Sequence, residues 1–281
     1  MISQKASVKY DRLRSILGLM ESVCIGYSGG VDSTLLLAVA HDLLGRSAVA
    51  VIGRSATYPT REFEEASAFA RKIGARTIVV ETEETDQLKF RENPPDRCYF
   101  CKTELFGKLD AIAAREGIRW IADGTITDDI GDFRPGMKAK KEKNVRSPLL
   151  EAELSKAEVR EISQHLGLPT WDKPSFACLS SRFPYGMEIT KENLARVDRA
   201  ETILRDLGFR TFRVRFHDTR TARLELAVDD FHRMLDVTTR AEIVGSLREI
   251  GFLYVTLDLQ GYRTGSMNEV LSPAVREEYT S

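Results

Sequence analysis

The sequence lacks any apolar run approaching the roughly 18 residues that cross a bilayer as a helix. Its opening stretch, Met1–Ile16, is polar and charged. A membrane-spanning helix is excluded and a secretory leader is not expected, so a cytoplasmic protein is. Net charge is almost absent: 41 basic residues face 42 acidic ones, for a balance of −1. Nothing in that balance asks for nucleic acid or a membrane surface as a partner. Cysteine is scarce, with four in 281 residues. That number argues against a disulfide scaffold in an intracellular chain and leaves metal binding, catalysis or burial. There is no Walker A loop, no Gly-x-Gly-x-x-Gly, no internal repeat and no low-complexity tract. What remains is 42% hydrophobic and 30% charged, an ordinary soluble composition long enough for one to two domains.

The most informative stretch is Ile25–Ser33, Ile-Gly-Tyr-Ser-Gly-Gly-Val-Asp-Ser. The apolar run Val23-Cys24-Ile25 leads in and Leu35-Leu36-Leu37-Ala38-Val39 leads out, so a strand, a glycine turn and a helix start are expected. Ser28, Gly29 and Gly30 put small residues where backbone must approach a ligand. The unpaired first-turn amides and the positive end of the helix dipole suit phosphate. Asp32 adds negative charge and either caps the helix or helps hold a magnesium ion that bridges phosphates. The motif resembles the Ser-Gly-Gly-x-Asp-Ser pyrophosphate loop (PP-loop) of the N-type ATP pyrophosphatases. That resemblance implies ATP cleavage between the α and β phosphates, an adenylated intermediate, and nucleotide contacts from Gly26, Tyr27, Ser28, Gly29, Gly30, Asp32 and Ser33.

Around this loop the pattern is strand, helix, strand, helix, strand. Val8–Met20 has helical spacing, and Cys24 reads as a buried core thiol. Strand 48–53 precedes helix Thr60–Ile73 and strand Arg76–Glu81, and strand 118–122 follows later. The order predicts an α/β fold with a doubly wound parallel sheet, whose ligands sit at the carboxyl ends of the strands. Ser55 and Thr57 lie at one such end and either reach adenine or ribose or form a plain connecting loop. Gly124, Thr125, Asp128 and Asp129 lie at another, where they suit a ligand or metal, or form a solvated acidic turn. Lys and Arg crowd residues 131–146, either to close over an anionic substrate or simply to be solvated.

Cys98 and Cys101 form a Cys-x-x-Cys at the start of a helix that runs to about Arg115. Two thiols so spaced converge on one metal or one redox centre, and Arg97 and Lys102 favour thiolate. Cys178 sits in an irregular Pro- and Ser-rich segment, Trp171–Gly186, where a cysteine is chemical rather than core. Arg182 in the same segment suits a phosphate or carboxylate fork.

After residue 186 the pattern changes. Helix 193–207, strands 211–216 and 222–228, a mostly helical 231–250 and strand 253–259 read as a small α+β domain with an antiparallel sheet. The expected division is therefore 1–186 and 187–281. Arg213 and Arg215 share a strand face and Glu225 projects from the next strand, as an anion or metal site or as a cross-strand ion pair. Gly261–Ser281 reads as a polar tail or edge.

Taken together, Ser28–Ser33, Arg97–Lys102, Asp123-Gly124-Thr125 and Pro174–Arg182 resemble the LarE family, the ATP-dependent sulfur transferases of lactate racemase cofactor assembly. The resemblance implies adenylation of the carboxylates of a pyridinium dicarboxylate mononucleotide and their conversion to thiocarboxylates, ligands of a nickel pincer nucleotide. It also implies one of two sulfur sources. In one type the cysteine matching Cys178 gives up its own sulfur. In the other, three cysteines hold a [4Fe-4S] cluster whose open iron carries an extra sulfide. Cys98, Cys101 and Cys178 match the second type, with Cys178, Asp32 and Arg182 as the catalytic set. The implied cofactors are ATP, Mg²⁺ and the cluster. The implied substrate contacts are Arg182, Arg213, Arg215, Glu201 and Glu225. A small-molecule nucleotide substrate and a homo-oligomer are expected, without nucleic acid. A tRNA thiolase would need a strong RNA surface. An amide-forming synthetase would not need three cysteines, and a simple iron–sulfur or zinc carrier would leave the ATP loop unexplained.

Overall fold

The structure is a computed structural model that describes residues 2–174 and 176–280. Met1, Ser175 of the Pro174–Arg182 motif and Ser281 lie outside the described residues. Four strands, β1 (Val23–Gly26), β2 (Ala48–Arg54), β3 (Arg76–Glu81) and β4 (Trp120–Ala122), form one sheet in the order β3-β2-β1-β4. All its pairings are parallel. The chain runs outward from β1 to β3 and then returns to the other side of β1. The reversal of strand order therefore lies between β1 and β4, where such sheets open a crevice at their carboxyl ends.

The pleat sorts each strand's residues between two cores. Val23, Ile25, Ala48, Ala50 and Ile52 face the helices Gln4–Gly18, Val31–Leu44 and Thr60–Lys72. Cys24, Val49, Val51 and Ile121 face the long helix Arg97–Glu116 through Phe106, Leu109 and Ile112. Burial on both faces is why these strands read as continuous apolar runs. Cys24 is fully buried in β1, as its apolar neighbours predict, and burial pushes its thiol up to about 12.

A second sheet, in the order β5-β6-β7, contains β5 (Phe212–Phe216), β6 (Thr221–Leu226) and β7 (Tyr254–Leu257). The antiparallel expectation holds for β5 with β6 only, because β6 and β7 are parallel. The chain between them passes through helices Phe231–Leu235 and Val237–Glu249. That crossover returns the chain to the end from which β6 started. Helix Lys191–Asp206 packs on this sheet. Phe90, Leu179 and Phe183, which precede residue 187, are buried in the same core. Each contributes about 1.5–3 kcal/mol by burial, so the turn that carries Cys178 is anchored at the seam of the two sheets. Within the stretch read as a polar tail or edge, Tyr279 packs on the segment after β4. Arg134 N–H donates to the Tyr279 carbonyl at 2.9 Å, and the Phe133 and Tyr279 rings stand 5.7 Å apart.

Candidate active site

The glycine loop is built as the sequence predicts, between β1 and helix Val31–Leu44. Gly30 is the N-cap, and no side chain caps the helix. The first-turn amides are thus left for a ligand. Gly29 has φ +64°, and a Cβ there would stand 2.6 Å from Ala66 Cβ, so only glycine fits. Ser28 and Ser33 hydroxyls lie 3.1 Å apart, and Ser33 Oγ also donates to the Gly30 carbonyl at 3.3 Å. Gly26 pairs with Val51 in the sheet, and Tyr27 turns its ring into the core. Tyr27 can therefore meet a nucleotide through its backbone only. Across the crevice, a Cβ on Gly124 would lie 3.0 Å from Ser33 N. The β4 loop thus closes directly on the start of the glycine-loop helix.

Asp32 is not the cap. It sits within the first turn, and its Oδ2 accepts from Lys156 Nζ at 2.5 Å. Its Oδ1 is buried without a hydrogen-bond partner. Burial raises its pKa, Lys156 opposes the shift, and Asp129 reinforces it. An orphaned carboxylate oxygen facing the phosphate end of a helix fits a magnesium ligand.

The three cysteines come from two distant segments, and none is in a disulfide. Burial pushes the Cys98 thiol up against the pull of Arg97, and Cys178 adds to the rise. Cys101 lies well above its usual range through burial, Glu84, Cys178 and Cys98. Among the described residues, no group of three or more His, Cys, Asp and Glu stands ready to hold a metal ion. Beside the thiols lies Arg97, 5% exposed, with Nε and Nη1 unpartnered and its guanidinium 4.8 Å from the Tyr185 ring centroid. A buried cation without a full set of acceptors calls for an anion. Burial thus overrides the pull toward thiolate expected from Arg97 and Lys102, and an anionic centre bound to these cysteines would give Arg97 the acceptors it lacks.

Two links join the loop to the cysteine turn. Tyr58 Oη donates to the Ser28 carbonyl at 2.8 Å, and its ring packs on Phe176 at 5.6 Å. Lys173 reaches Glu62 at 2.7 Å and Glu65 at 2.9 Å, with the Gly29 carbonyl 3.4 Å away.

Residues 10–104 match the NAD synthase family model. A Lactiplantibacillus plantarum protein named pyridinium-3,5-bisthiocarboxylic acid mononucleotide synthase is 41% identical, over 95% of this chain and 96% of that one. The chain belongs to this synthase family. An uncharacterised Synechocystis protein is 47% identical over 94% of this chain and 98% of its own length. A GMP synthase of Aromatoleum aromaticum is 30% identical over 57% of this chain and 34% of its own length.

In this synthase-family chain, several residues expected to meet ligands are bonded to the protein itself. Arg182 and Glu201 form a buried fork, with Nε–Oε1 and Nη2–Oε2 both at 2.8 Å. Arg182 Nη1 donates to the Ala177 and Cys178 carbonyls at 2.8 and 3.1 Å. Of the two expected partners, phosphate or carboxylate, the fork holds a carboxylate, and it is the protein's own, because two charges this deep must pair. Arg215 Nη2 donates to Glu225 Oε2 at 2.7 Å and Nη1 to the Ser181 carbonyl at 2.8 Å. Arg223 also reaches Glu225, at 3.3 Å. Arg213 lines a cavity of about 440 Å³ where Arg205, Arg210 and Lys173 stand among Glu62, Glu65 and Asp172, and it lies over the Tyr262 ring at 5.0 Å.

At the strand ends, Ser55 Oγ donates to Glu84 Oε1 at 2.6 Å, and Thr57 Oγ1 does so at 2.7 Å. The Leu179 N–H donates to the Thr57 carbonyl at 2.8 Å, so Thr57 is tied to the cysteine turn, with the Ser55 hydroxyl 2.8 Å from its own. Thr125 Oγ1 donates to Asp123 at 2.8 Å, and Asp128 accepts from the Lys156 backbone at 2.8 Å. The basic stretch 131–146 is largely neutralised at home. Arg134 pairs with Asp129, Lys143 with Asp110, Arg146 with Glu151, and buried Lys140 with Ser147 and Asp123. Sequence reasoning passed over Lys156, Lys173, Tyr58 and Glu84. Lys173 borders the Pro174–Arg182 motif, whereas Lys156, Tyr58 and Glu84 lie outside any motif and are brought to the site by folding.

Proposed function

We propose that this protein is an ATP-dependent, AMP-forming sulfur transferase that converts the carboxylates of a pyridinium-3,5-dicarboxylate mononucleotide into thiocarboxylates. The observation that carries the reading is the bonded unit formed by the glycine loop and the Cys178 turn through Tyr58 and Phe176. Activation and sulfur delivery need such adjacency, because an acyl adenylate hydrolyses if it must diffuse.

The backbone amides after Gly29 and Gly30 hold the triphosphate, and Ser28 and Ser33 line it. Asp32 is the residue that would hold Mg²⁺, which when bound neutralises and orients the phosphates. A carboxylate oxygen of the substrate attacks the α phosphorus, the bond to the β phosphate breaks, and pyrophosphate leaves with the electron pair. The resulting acyl adenylate accepts a sulfur nucleophile at its carbonyl carbon and releases AMP. Arg213, with Arg205 and Arg210 in the same mixed-charge cavity, suits the substrate phosphate. Arg182 and Arg215 act one step back, by gripping the carbonyls of residues 177, 178 and 181. Cys98, Cys101 and Cys178 would hold a [4Fe-4S] cluster, which supplies an open iron for a sulfide ligand. Arg97 offers such an anionic centre its unpaired donors. The reading includes a cytoplasmic homo-oligomer joined through its C-terminal region, where Leu235 and Val237 are exposed.

The test is iron and acid-labile sulfide content of protein purified without oxygen, beside Cys178→Ala. About four irons per chain, lost in the variant, are expected. No iron in the wild type after reconstitution overturns the cluster. Loss of the Cys178 sulfur by mass spectrometry after turnover would assign the sacrificial route instead.

A further inference from the structure

Asp32 presents a difficulty that its neighbour resolves. A carboxylate at the helix end that binds phosphate repels its own ligand unless a cation stands between them. Lys156 supplies that cation, with Nζ 2.5 Å from Asp32 Oδ2. Both side chains are half-buried, and Asp129 adds further negative charge to Asp32. Asp129 itself is answered by Arg134 at 2.6 Å. Asp32 Oδ1 stays unpartnered. The root of Lys156 is fixed: it is the first residue of helix Lys156–His165, behind the Ser155 cap, and its backbone N–H donates to Asp128 at 2.8 Å. Its four-carbon stem is free to carry the ammonium elsewhere.

A divalent ion on Asp32 and an ammonium on the same carboxylate repel at contact distance. A triphosphate on the adjacent amides offers that ammonium new partners. We infer that Lys156 is an exchangeable counter-ion for the metal seat: it holds Asp32 until metal arrives and then moves its ammonium onto the phosphates of the bound nucleotide. Lys156 is thereby a nucleotide-binding residue of the loop, contributed from more than 120 residues downstream. The inference rests on the reading of Asp32 as a metal ligand.

The two contacts give opposite signs on removal, which a static tether does not. With Mn²⁺ alone, followed by electron paramagnetic resonance, Lys156→Gln should bind about tenfold more tightly than the wild type, because the competitor is gone. With α,β-methylene-ATP and Mn²⁺, the same variant should bind nucleotide about tenfold more weakly, and Lys156→Arg should recover most of that loss. Acylation footprinting of the unaltered chain reads the same exchange without a substitution. Lys156 should become more reactive with Mn²⁺ alone and protected when the nucleotide analogue is added. An unchanged or weakened Mn²⁺ affinity in Lys156→Gln, or constant Lys156 reactivity, overturns the inference. Asp32→Asn separates the two layers. If it abolishes Mn²⁺ binding while Lys156→Gln changes nothing, the metal reading stands and the exchange fails. If Asp32→Asn leaves Mn²⁺ binding intact, both fall.

Discussion

The glycine loop and the Cys178 turn touch, yet they are built on opposite principles. The loop is contiguous in sequence, offers mainly backbone groups, and owes its shape to small residues and one positive φ. The turn is held by side chains from elsewhere. Arg182 grips two of its carbonyls and Arg215 a third, and each arginine is neutralised by a buried carboxylate from the second sheet or its helix. The loop is ready for an anion that arrives from solvent. The turn is fixed from several sides, which on the proposed reading keeps the Cys178 sulfur in place while substrates change around it. Local sterics suffice for backbone recognition, whereas placing one side-chain atom takes support from several elements.

Substitutions in each region should fail differently. The largest effect belongs to Gly29→Ala. The new methyl meets Ala66 at 2.6 Å in a backbone conformation that disfavours side chains, so the loop must shift. A displacement near 1 Å costs on the order of 10²-fold in rate. ATP–pyrophosphate exchange should fall by at least that factor and sulfur transfer should fall with it. Normal exchange would mean that the loop amides do not hold the phosphates.

Arg182→Met attacks the other region. It strands Glu201 in the core, which costs about 3–5 kcal/mol in urea unfolding. ATP binding to the folded fraction should change little. Arg182→Met with Glu201→Leu should recover much of the stability, because the uncompensated charge is gone. A double variant as unstable as the single one would show that the pair is not what supports the turn.

The smallest effect is pH-dependent and concerns the support of the loop's helices. Burial raises the Glu158 pKa, but Lys9, the Ser155 backbone and hydroxyl, and Lys5 outweigh it and hold the carboxyl down to about 2. A depressed carboxyl contributes stability above its unfolded value near 4.5, and the contribution is lost as pH falls toward 2. Glu158→Gln should therefore cost on the order of 2–3 kcal/mol at pH 7, with the difference from wild type closing between about pH 4.5 and 2. A difference constant with pH would remove Glu158 from the link between the first helix and helix Lys156–His165.

The sequence by itself determined the parallel sheet and the loop, because strand–turn–helix order and glycine placement are local properties. It also marked Cys98, Cys101 and Cys178 by residue type and Cys24 by its apolar neighbours. Only the tertiary structure decided what faces what. It turned the Arg182 fork to Glu201, the Ser55 hydroxyl to Glu84, and the basic stretch 131–146 to nearby carboxylates. It also ran β7 parallel to β6 and brought Lys156 onto Asp32. The physical reason is the cost of burying charge. A charged side chain bonds to whichever opposite charge the fold brings near, and that partner can lie anywhere along the chain.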